Sequence, residues 1–208
     1  LLYAGTDDGN IHLTKDGGYS WTKVNVMIPA ASPAKSKVKL PPVNTVPNGL
    51  WVSRVVASQH KEGRVYATLN GYRSDNFAPY LYMSDDYGTT WKQLGKDLPM
   101  EPLNVVREDP KNDSILYVGS DGALYVSFDQ GNSFMMWNGG MPKSVPIHDI
   151  AIQQRENEII LGTHGRSLYV GKLLDVQELK KDQDWLRKKP KPKEVKRDDD
   201  DAGDPGKD

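Results

Sequence analysis

Short runs of aliphatic, aromatic and β-branched residues alternate along most of the chain with turns rich in Gly, Asp, Asn and Pro. Runs of this length, bounded by such turns, are typical of β-strands. The sequence therefore predicts an all-β fold with antiparallel strands. The predicted strands are 1–5, 10–14 and 20–24; 50–58, 64–70, 80–84 and 90–94; 103–108, 114–119, 123–127 and 133–138; and 146–153, 158–162 and 167–171.

An eight-residue phrase occurs three times, at 14–21, 84–91 and 127–134, each time between two predicted strands. Its pattern is Ser/Thr-x-Asp-x-Gly-x-Ser/Thr-aromatic. The Asp can accept hydrogen bonds from turn amides, the Gly can take a positive φ angle, and the aromatic side chain can pack into the neighbouring layer. We therefore expect a structural hairpin turn, in which the later Ser or Thr bonds the turn backbone. The residues that define it are Asp16, Gly18 and Trp21; Asp86, Gly88 and Trp91; and Asp129, Gly131 and Phe134.

This phrase resembles the Asp-box, or BNR repeat, of sialidase-like and sortilin-like β-propellers. A propeller blade is a four-stranded antiparallel sheet whose first strand lines a central channel, and a ring holds about four to eight blades. Divided in this way, the chain supplies about three and a half blades: two complete, one without a first strand and one without a clear fourth strand. We expect the remaining blades to come from an N-terminal segment or from another chain.

Several further stretches carry a second resemblance. They are similar to the C-terminal half of large secreted bacterial proteins with sortilin-like propellers, which are often labelled glycosyl hydrolases. This resemblance implies a secreted, periplasmic or cell-surface protein, and it supplies no catalytic residues. The chain starts at Leu1 without a signal-peptide pattern, so we interpret it as a piece of a longer protein. The stretches are 51–54, 79–82, 105–112, 122–129, 145–149 and 163–166.

Composition excludes several classes of function. The formal net charge of −1 does not favour nucleic acid as a partner, and no apolar run is long enough for a membrane span. Cysteine is absent, which excludes thiol catalysis and thiolate metal sites. The repeated turns offer too few carboxylates for a calcium loop of the EF-hand type. We predict neither a metal site nor a cofactor.

The chain divides into two regions by composition. Residues 1–178 form the propeller part, and residues 25–49 within it are a Pro-rich insertion loop. Residues 179–208 form a charged, low-complexity tail or linker with few apolar side chains.

Candidate ligand-binding residues follow from the propeller frame. We define the channel face as the side where the first strands begin and the second strands turn into the third; the repeated turns fall on the opposite side. Arg residues on this face can give bidentate contacts to a carboxylate or phosphate. Alternatively, the charges join neighbouring blades, with Arg54 or Arg166 pairing with Asp149 or Asp121. The candidates are Trp51, Arg54, Tyr72, Arg73, His148, Asp149, His164 and Arg166.

Two functions follow from this frame. The leading one is a binding or scaffold module that engages a peptide, protein or glycan on the channel face. The alternative is a glycoside hydrolase, sialidase-like or other, with part of its site in a segment outside this sequence. Glycosidases generally need two carboxyl groups beside the scissile bond. The sequence places no suitable Glu on the channel face, because Glu108 lies at the far end of its strand.

Overall fold

The computed structural model describes residues 1–25, 46–47, 49–142 and 144–188. The strands described in these ranges form four antiparallel sheets, which we number in chain order. The first sheet contains β1 (Leu2–Gly5), β2 (Ile11–Thr14) and β3 (Thr22–Lys23). The second contains β4 (Trp51–Ala57), β5 (Val65–Gly71), β6 (Asn76–Ser84) and β7 (Lys92–Leu94).

The third and fourth sheets continue the same order. The third contains β8 (Leu103–Glu108), β9 (Leu116–Ser120), β10 (Leu124–Ser127) and β11 (Met135–Met136). The fourth contains β12 (Ile147–Gln153), β13 (Glu158–Thr163) and β14 (Leu168–Lys172). The predicted all-β architecture is confirmed, with two four-stranded sheets between two three-stranded ones.

The sheets pack face to face in the order of the chain. Strand β1 contacts β4, β4 contacts β8, and β8 contacts β12, so the first strands of the second to fourth sheets are neighbours. An apolar cluster fills each of the three gaps between successive sheets. Strands β5, β9 and β10 are buried along their whole length, because each lies in a sheet that is covered on both faces.

The repeated phrase forms the same hydrogen-bonded turn three times. In the second sheet, the Ser84 hydroxyl donates to the Asp86 carboxylate at 2.8 Å and accepts the Gly88 N–H at 2.8 Å. The Asp86 carboxylate also accepts the N–H and hydroxyl of Thr90, at 2.8 and 2.7 Å. Equivalent bonds occur in the other two copies. The later Ser or Thr thus bonds the Asp side chain, where we had expected it to bond the turn backbone.

The three aromatic residues of the repeat differ in burial. Trp91 is 2% exposed, and Phe134 packs against the cluster between the second and third sheets. Trp21 is 44% exposed, so the expectation that it packs into a neighbouring layer is wrong for the described chain. Trp91 and Phe134 each pack against the sheet that precedes their own. No sheet precedes the first one among the described residues, which explains the exposure of Trp21.

A helix follows the last strand directly. Helix α1 (Leu173–Lys188) begins with a hydrogen bond from the Leu173 N–H to the Asn157 carbonyl at 2.8 Å. Leu173 and Val176 are buried in the cluster between the third and fourth sheets. Residues 179–188, at the start of the predicted charged tail or linker, belong to this helix. No helix in the described part of the chain is long and apolar enough to cross a bilayer.

The Pro-rich insertion lies almost entirely outside the described residues. Among its described residues, Val46 is buried in the cluster between the first and second sheets, and the buried Asn25 accepts the Ile11 N–H and donates to the Gly9 carbonyl, both at 2.7 Å.

Candidate functional site

Exposed aromatic side chains of the second sheet lie on the channel face. Trp51 begins β4, while Tyr72 and Arg73 form a short 3-10 turn directly after β5. The Arg73 guanidinium lies over the Trp51 ring, 5.5 Å from its centroid. Tyr72 meets Phe77 edge to face, with ring centroids 6.0 Å apart. We call these four residues the aromatic rim; three were sequence candidates, and Phe77 was not.

Two histidines of the fourth sheet form a second group. The rings of His148, on β12, and His164, just after β13, lie edge to face with centroids 4.9 Å apart. The Nε2 atom of His148 is 3.9 Å from Asp121 Oδ1, in the turn between β9 and β10. We call these three residues the histidine cluster. The described residues contain no group of three or more side chains placed to hold a metal ion.

Buried amides connect the two groups across three sheets. Asn70 accepts the Tyr72 N–H at 2.9 Å and donates its own amide to Asn104 Oδ1 at 2.8 Å. Asn104 in turn donates to Asp121 Oδ1 at 2.8 Å. Both Asn side chains are buried, where an unmade hydrogen bond would be costly. The chain of bonds therefore holds the aromatic rim and the histidine cluster in a defined relation.

Charged side chains lie farther down the channel, on the first strands. Arg54 Nη2 of β4 is 2.6 Å from Asp149 Oδ1 of β12, although β8 separates these strands. Arg107 of β8 lies between them, with its Nη2 4.0 Å from the same oxygen. Burial lowers the pKa of Arg107, and the nearby charge of Arg54 lowers it further. We call Arg54, Arg107 and Asp149 the channel triad; Arg107 was not a sequence candidate.

Arg166 is the remaining sequence candidate, and it forms no ion pair with another described residue. Arg166 donates from Nη1 to the Ser144 carbonyl at 3.1 Å, so it fixes the connection that leads into β12. The structure thus brings most candidates into three neighbouring groups, with Arg166 at the edge.

Carboxylates on the channel face include one that the sequence analysis missed. Glu101 precedes β8 and accepts the Ser120 hydroxyl at 2.6 Å and the Tyr125 hydroxyl at 3.3 Å. Burial, with a further contribution from Glu101, raises the pKa of Tyr125 to about 12. Glu108 lies at the other end of β8, as predicted, where Ser58 and Tyr66 donate to its carboxylate.

A cavity of about 280 Å³ lies below the channel triad. Its lining includes Arg107, Glu108 and Ala151, together with Gln59 and Gln154. Gln154 donates to Gln59 Oε1 at 3.2 Å, which joins the second and fourth sheets at this end.

No protein-family model matches this chain, and no curated protein sequence matches it. Several solved structures do match. The GH74 xyloglucanase from Xanthomonas campestris has a TM-score of 0.55 and 16% identity, over 84% of this chain and 27% of the enzyme chain. The extracellular domain of the hybrid two-component system BT4673 from B. thetaiotaomicron has a TM-score of 0.52 and 17% identity, over 81% of this chain and 19% of that chain. YCF48 from Cyanidioschyzon merolae has a TM-score of 0.51 and 15% identity, over 81% of this chain and 52% of the YCF48 chain.

The chain is part of a β-propeller. This conclusion rests on the four stacked antiparallel sheets and on the similarity to these structures. At such identities the likeness concerns the fold alone. The chain also spans only 24% and 27% of the lengths of two GH74 proteins that it matches.

Proposed function

We propose that this propeller segment is a binding module that engages a peptide, protein or glycan on the channel face. The observation that carries the proposal is the aromatic rim, held to the histidine cluster by the buried amides. Trp, Tyr and Arg dominate the energetics of protein interfaces, and a solvent-exposed aromatic group is characteristic of a docking site. The hydrogen bond from the Tyr72 N–H to Asn70 fixes the backbone of the rim, which lowers the entropic cost of binding.

Glycan and peptide arrays probed with the 208-residue protein test this proposal. Trp51→Ala and Tyr72→Ala should each weaken binding of any array ligand by about tenfold or more, as expected for central aromatic contacts. Tyr19→Ala is the matched control, because Tyr19 is 95% exposed and lies in the repeated turn on the opposite side. Equal loss in all three variants, or no array ligand for the wild type, would refute the proposal.

Glycoside hydrolysis is the alternative function, and Glu101 is the observation that favours it. This carboxylate shares the channel face with Asp121 and Asp149, which answers the earlier objection that no Glu lay there. A panel of aryl glycosides and sialosides tests the alternative. Turnover by the wild type that is lost in one of Glu101→Gln, Asp121→Asn or Asp149→Asn would establish it. Absence of turnover across the panel would exclude it for this segment.

We also propose that the three repeated turns are Asp-boxes and that the protein is exported. The identical hydrogen bonding of the three copies supports the first point. The second rests on the resemblance of the sequence to secreted proteins. Detection of the native protein in the periplasmic or culture fraction, and not the cytosolic fraction, is the test.

Further blades are the partners that we propose for the two outer sheets. Leu168 and Val170 of β14 are 68% and 62% exposed on one face, and Trp21 is exposed on the first sheet. Sheets two and three bury the corresponding faces against neighbours of the same repeat. An N-terminal segment or another chain would supply the missing neighbours. In a longer form of the protein, Trp21 should be shielded from acrylamide quenching; equal quenching in both forms would argue against added blades.

A further inference from the structure

The channel triad holds two guanidinium groups and one carboxylate. Arg54 and Arg107 both approach the same oxygen, Asp149 Oδ1, at 2.6 and 4.0 Å. The longer separation exceeds a hydrogen bond. Asp149 therefore satisfies Arg54 directly and compensates Arg107 only in part, which leaves the triad with an excess positive charge.

The Nε–H donors of the two guanidinium groups differ in their hydrogen bonding. The Nε atom of Arg54 is buried and has no hydrogen-bond partner among the described residues. Arg107 donates its Nε–H to the Ile150 carbonyl at 2.8 Å, which fixes the plane of the group. A buried N–H of a charged group without an acceptor leaves that charge incompletely compensated, so an anion bound close to the guanidinium groups would be stabilised.

Glu108 does not neutralise this excess charge directly. Its carboxylate turns toward the second sheet, where it accepts the Ser58 hydroxyl at 2.7 Å, the Gln59 N–H at 2.9 Å and the Tyr66 hydroxyl at 3.1 Å. These bonds engage both of its oxygens. Asp149 is the carboxylate that forms an ion pair with Arg107 among the described residues.

The cavity beside Arg107 provides space for a small ligand. Its volume of about 280 Å³ is close to the lower limit of typical small-molecule sites, about 300 Å³. The lining also contains Glu108, whose carboxylate oxygens are engaged by the bonds above, and the amides of Gln59 and Gln154, which can donate to a ligand.

We propose that the two guanidinium groups form a carboxylate-binding site, in which Arg107 lines the cavity and contacts the ligand while Arg54 adds positive charge from beside it. The planar guanidinium group matches a carboxylate with two parallel hydrogen bonds. Asp149 acts as the internal counter-charge that the ligand supplements. This site lies at the opposite end of the first strands from the aromatic rim, beside Glu108, and goes beyond the binding function proposed above.

Calorimetric titration with succinate, a small dicarboxylate, tests the site in the 208-residue protein. Succinamide is the neutral isostere and should give no saturable heat. Arg107→Gln should weaken succinate binding by about tenfold or more because it removes a charge-assisted contact, and Arg54→Gln should weaken it because it removes a positive charge beside the site. Arg155→Gln is the matched control: Arg155 lies outside the channel triad, and its side chain is 81% exposed and paired with Glu156. This variant should bind like the wild type.

Asp149→Asn separates a ligand site from a structural ion pair. Removing the internal counter-charge should tighten succinate binding by about tenfold and lower the thermal unfolding temperature in anion-free buffer, and succinate should restore that temperature. A merely structural triad would lose stability in this variant without any rescue. Thermal unfolding of every variant establishes that it is folded.

The outcomes distinguish this inference from the binding function proposed above. No succinate binding by the wild type, or binding that is unchanged in both Arg54→Gln and Arg107→Gln, would overturn the carboxylate site. Arginine-dependent succinate binding by a protein without array ligands would support this site and refute the rim proposal. Array ligands without succinate binding would do the reverse.

Discussion

The indole N–H of Trp91 donates a hydrogen bond of 3.1 Å to the carbonyl oxygen of Val24, which follows the last strand of the preceding sheet. The position that a Cβ on Gly88 would occupy lies 2.7 Å from a methyl group of Val24, so the turn and the preceding sheet are in close contact. The repeated turn therefore has two roles. It closes a hairpin within its own sheet, and its aromatic residue attaches that sheet to the one before it.

This attachment predicts different costs for two equivalent substitutions. Trp91→Ala should lower the free energy of unfolding by about 3–5 kcal/mol, the usual cost of emptying a buried aromatic site. Trp21 occupies the same repeat position but is exposed, so Trp21→Ala should lower the free energy of unfolding by less than about 1 kcal/mol. Urea unfolding followed by circular dichroism measures both. Equal costs would contradict the role of the preceding sheet.

Two glycines with similar φ angles, at different positions of the repeated turn, offer a second comparison. Gly131 has a φ angle of +82°, and an added Cβ would lie 2.7 Å from Leu94 of the preceding sheet. Gly17 has a similar φ of +78° but open space around the Cβ position. Gly17→Ala should cost about 1–2 kcal/mol from backbone strain alone. Gly131→Ala should cost about 1–3 kcal/mol more because of overpacking. The difference between their urea midpoints is the test.

Acid should weaken the turn through Asp86. Burial raises the pKa of this carboxyl, but hydrogen bonds from Thr90 and Ser84 lower it by more, so its pKa is below the usual value. Between the folded pKa and the unfolded value of about 3.9, the unfolded state binds more protons. The stabilisation is therefore present above about pH 4 and is lost as the pH falls through the folded pKa. Asp86→Asn should show a shallower decline of unfolding free energy in this window, and an unchanged decline would refute the assignment.

Asn104 should control the backbone of the aromatic rim from a distance. Asn104→Ala leaves Asn70 without its acceptor, so the hydrogen bond between Asn70 and the Tyr72 N–H should weaken. Hydrogen exchange of the Tyr72 amide should accelerate by about tenfold, the equivalent of about 1.4 kcal/mol. Asn112→Ala, which removes an acceptor from the Ser114 N–H at the opposite end of the sheet, is the control. If the Tyr72 amide exchanges at the wild-type rate in Asn104→Ala, the amides do not act as a chain.

The repeated phrase and the short strands made most of the fold predictable. Each predicted strand has a counterpart, and the last sheet has three strands in the part of the chain that the structure describes. Local patterns determine these features, since turn chemistry and alternation act over a few residues. The helix after β14 was missed because its buried residues, Leu173 and Val176, are few and are surrounded by charged residues. Only packing against the third and fourth sheets reveals why it forms.

The site was less predictable than the fold. The propeller frame located the channel face, and the pairing of Arg54 with Asp149 was among the options stated. Arg107 and Asn70 were missed because their importance depends on which side chains other sheets place beside them. Phe77 carried a weak signal, an aromatic residue in the loop between the predicted strands 64–70 and 80–84, that could have suggested the rim. Whether these residues bind a ligand stays a prediction.

The stacking of Arg73 on Trp51 has a consequence for selectivity. The Arg73 guanidinium is held next to the indole by the chain, so it competes with a ligand for that face of the ring. An apolar molecule would have to displace the guanidinium from the ring without making a new hydrogen bond or ion pair with it. A ligand with an oxygen placed to accept a hydrogen bond from the released guanidinium would not carry this cost. The rim should therefore select ligands by their hydrogen-bond acceptors and not by their hydrophobicity.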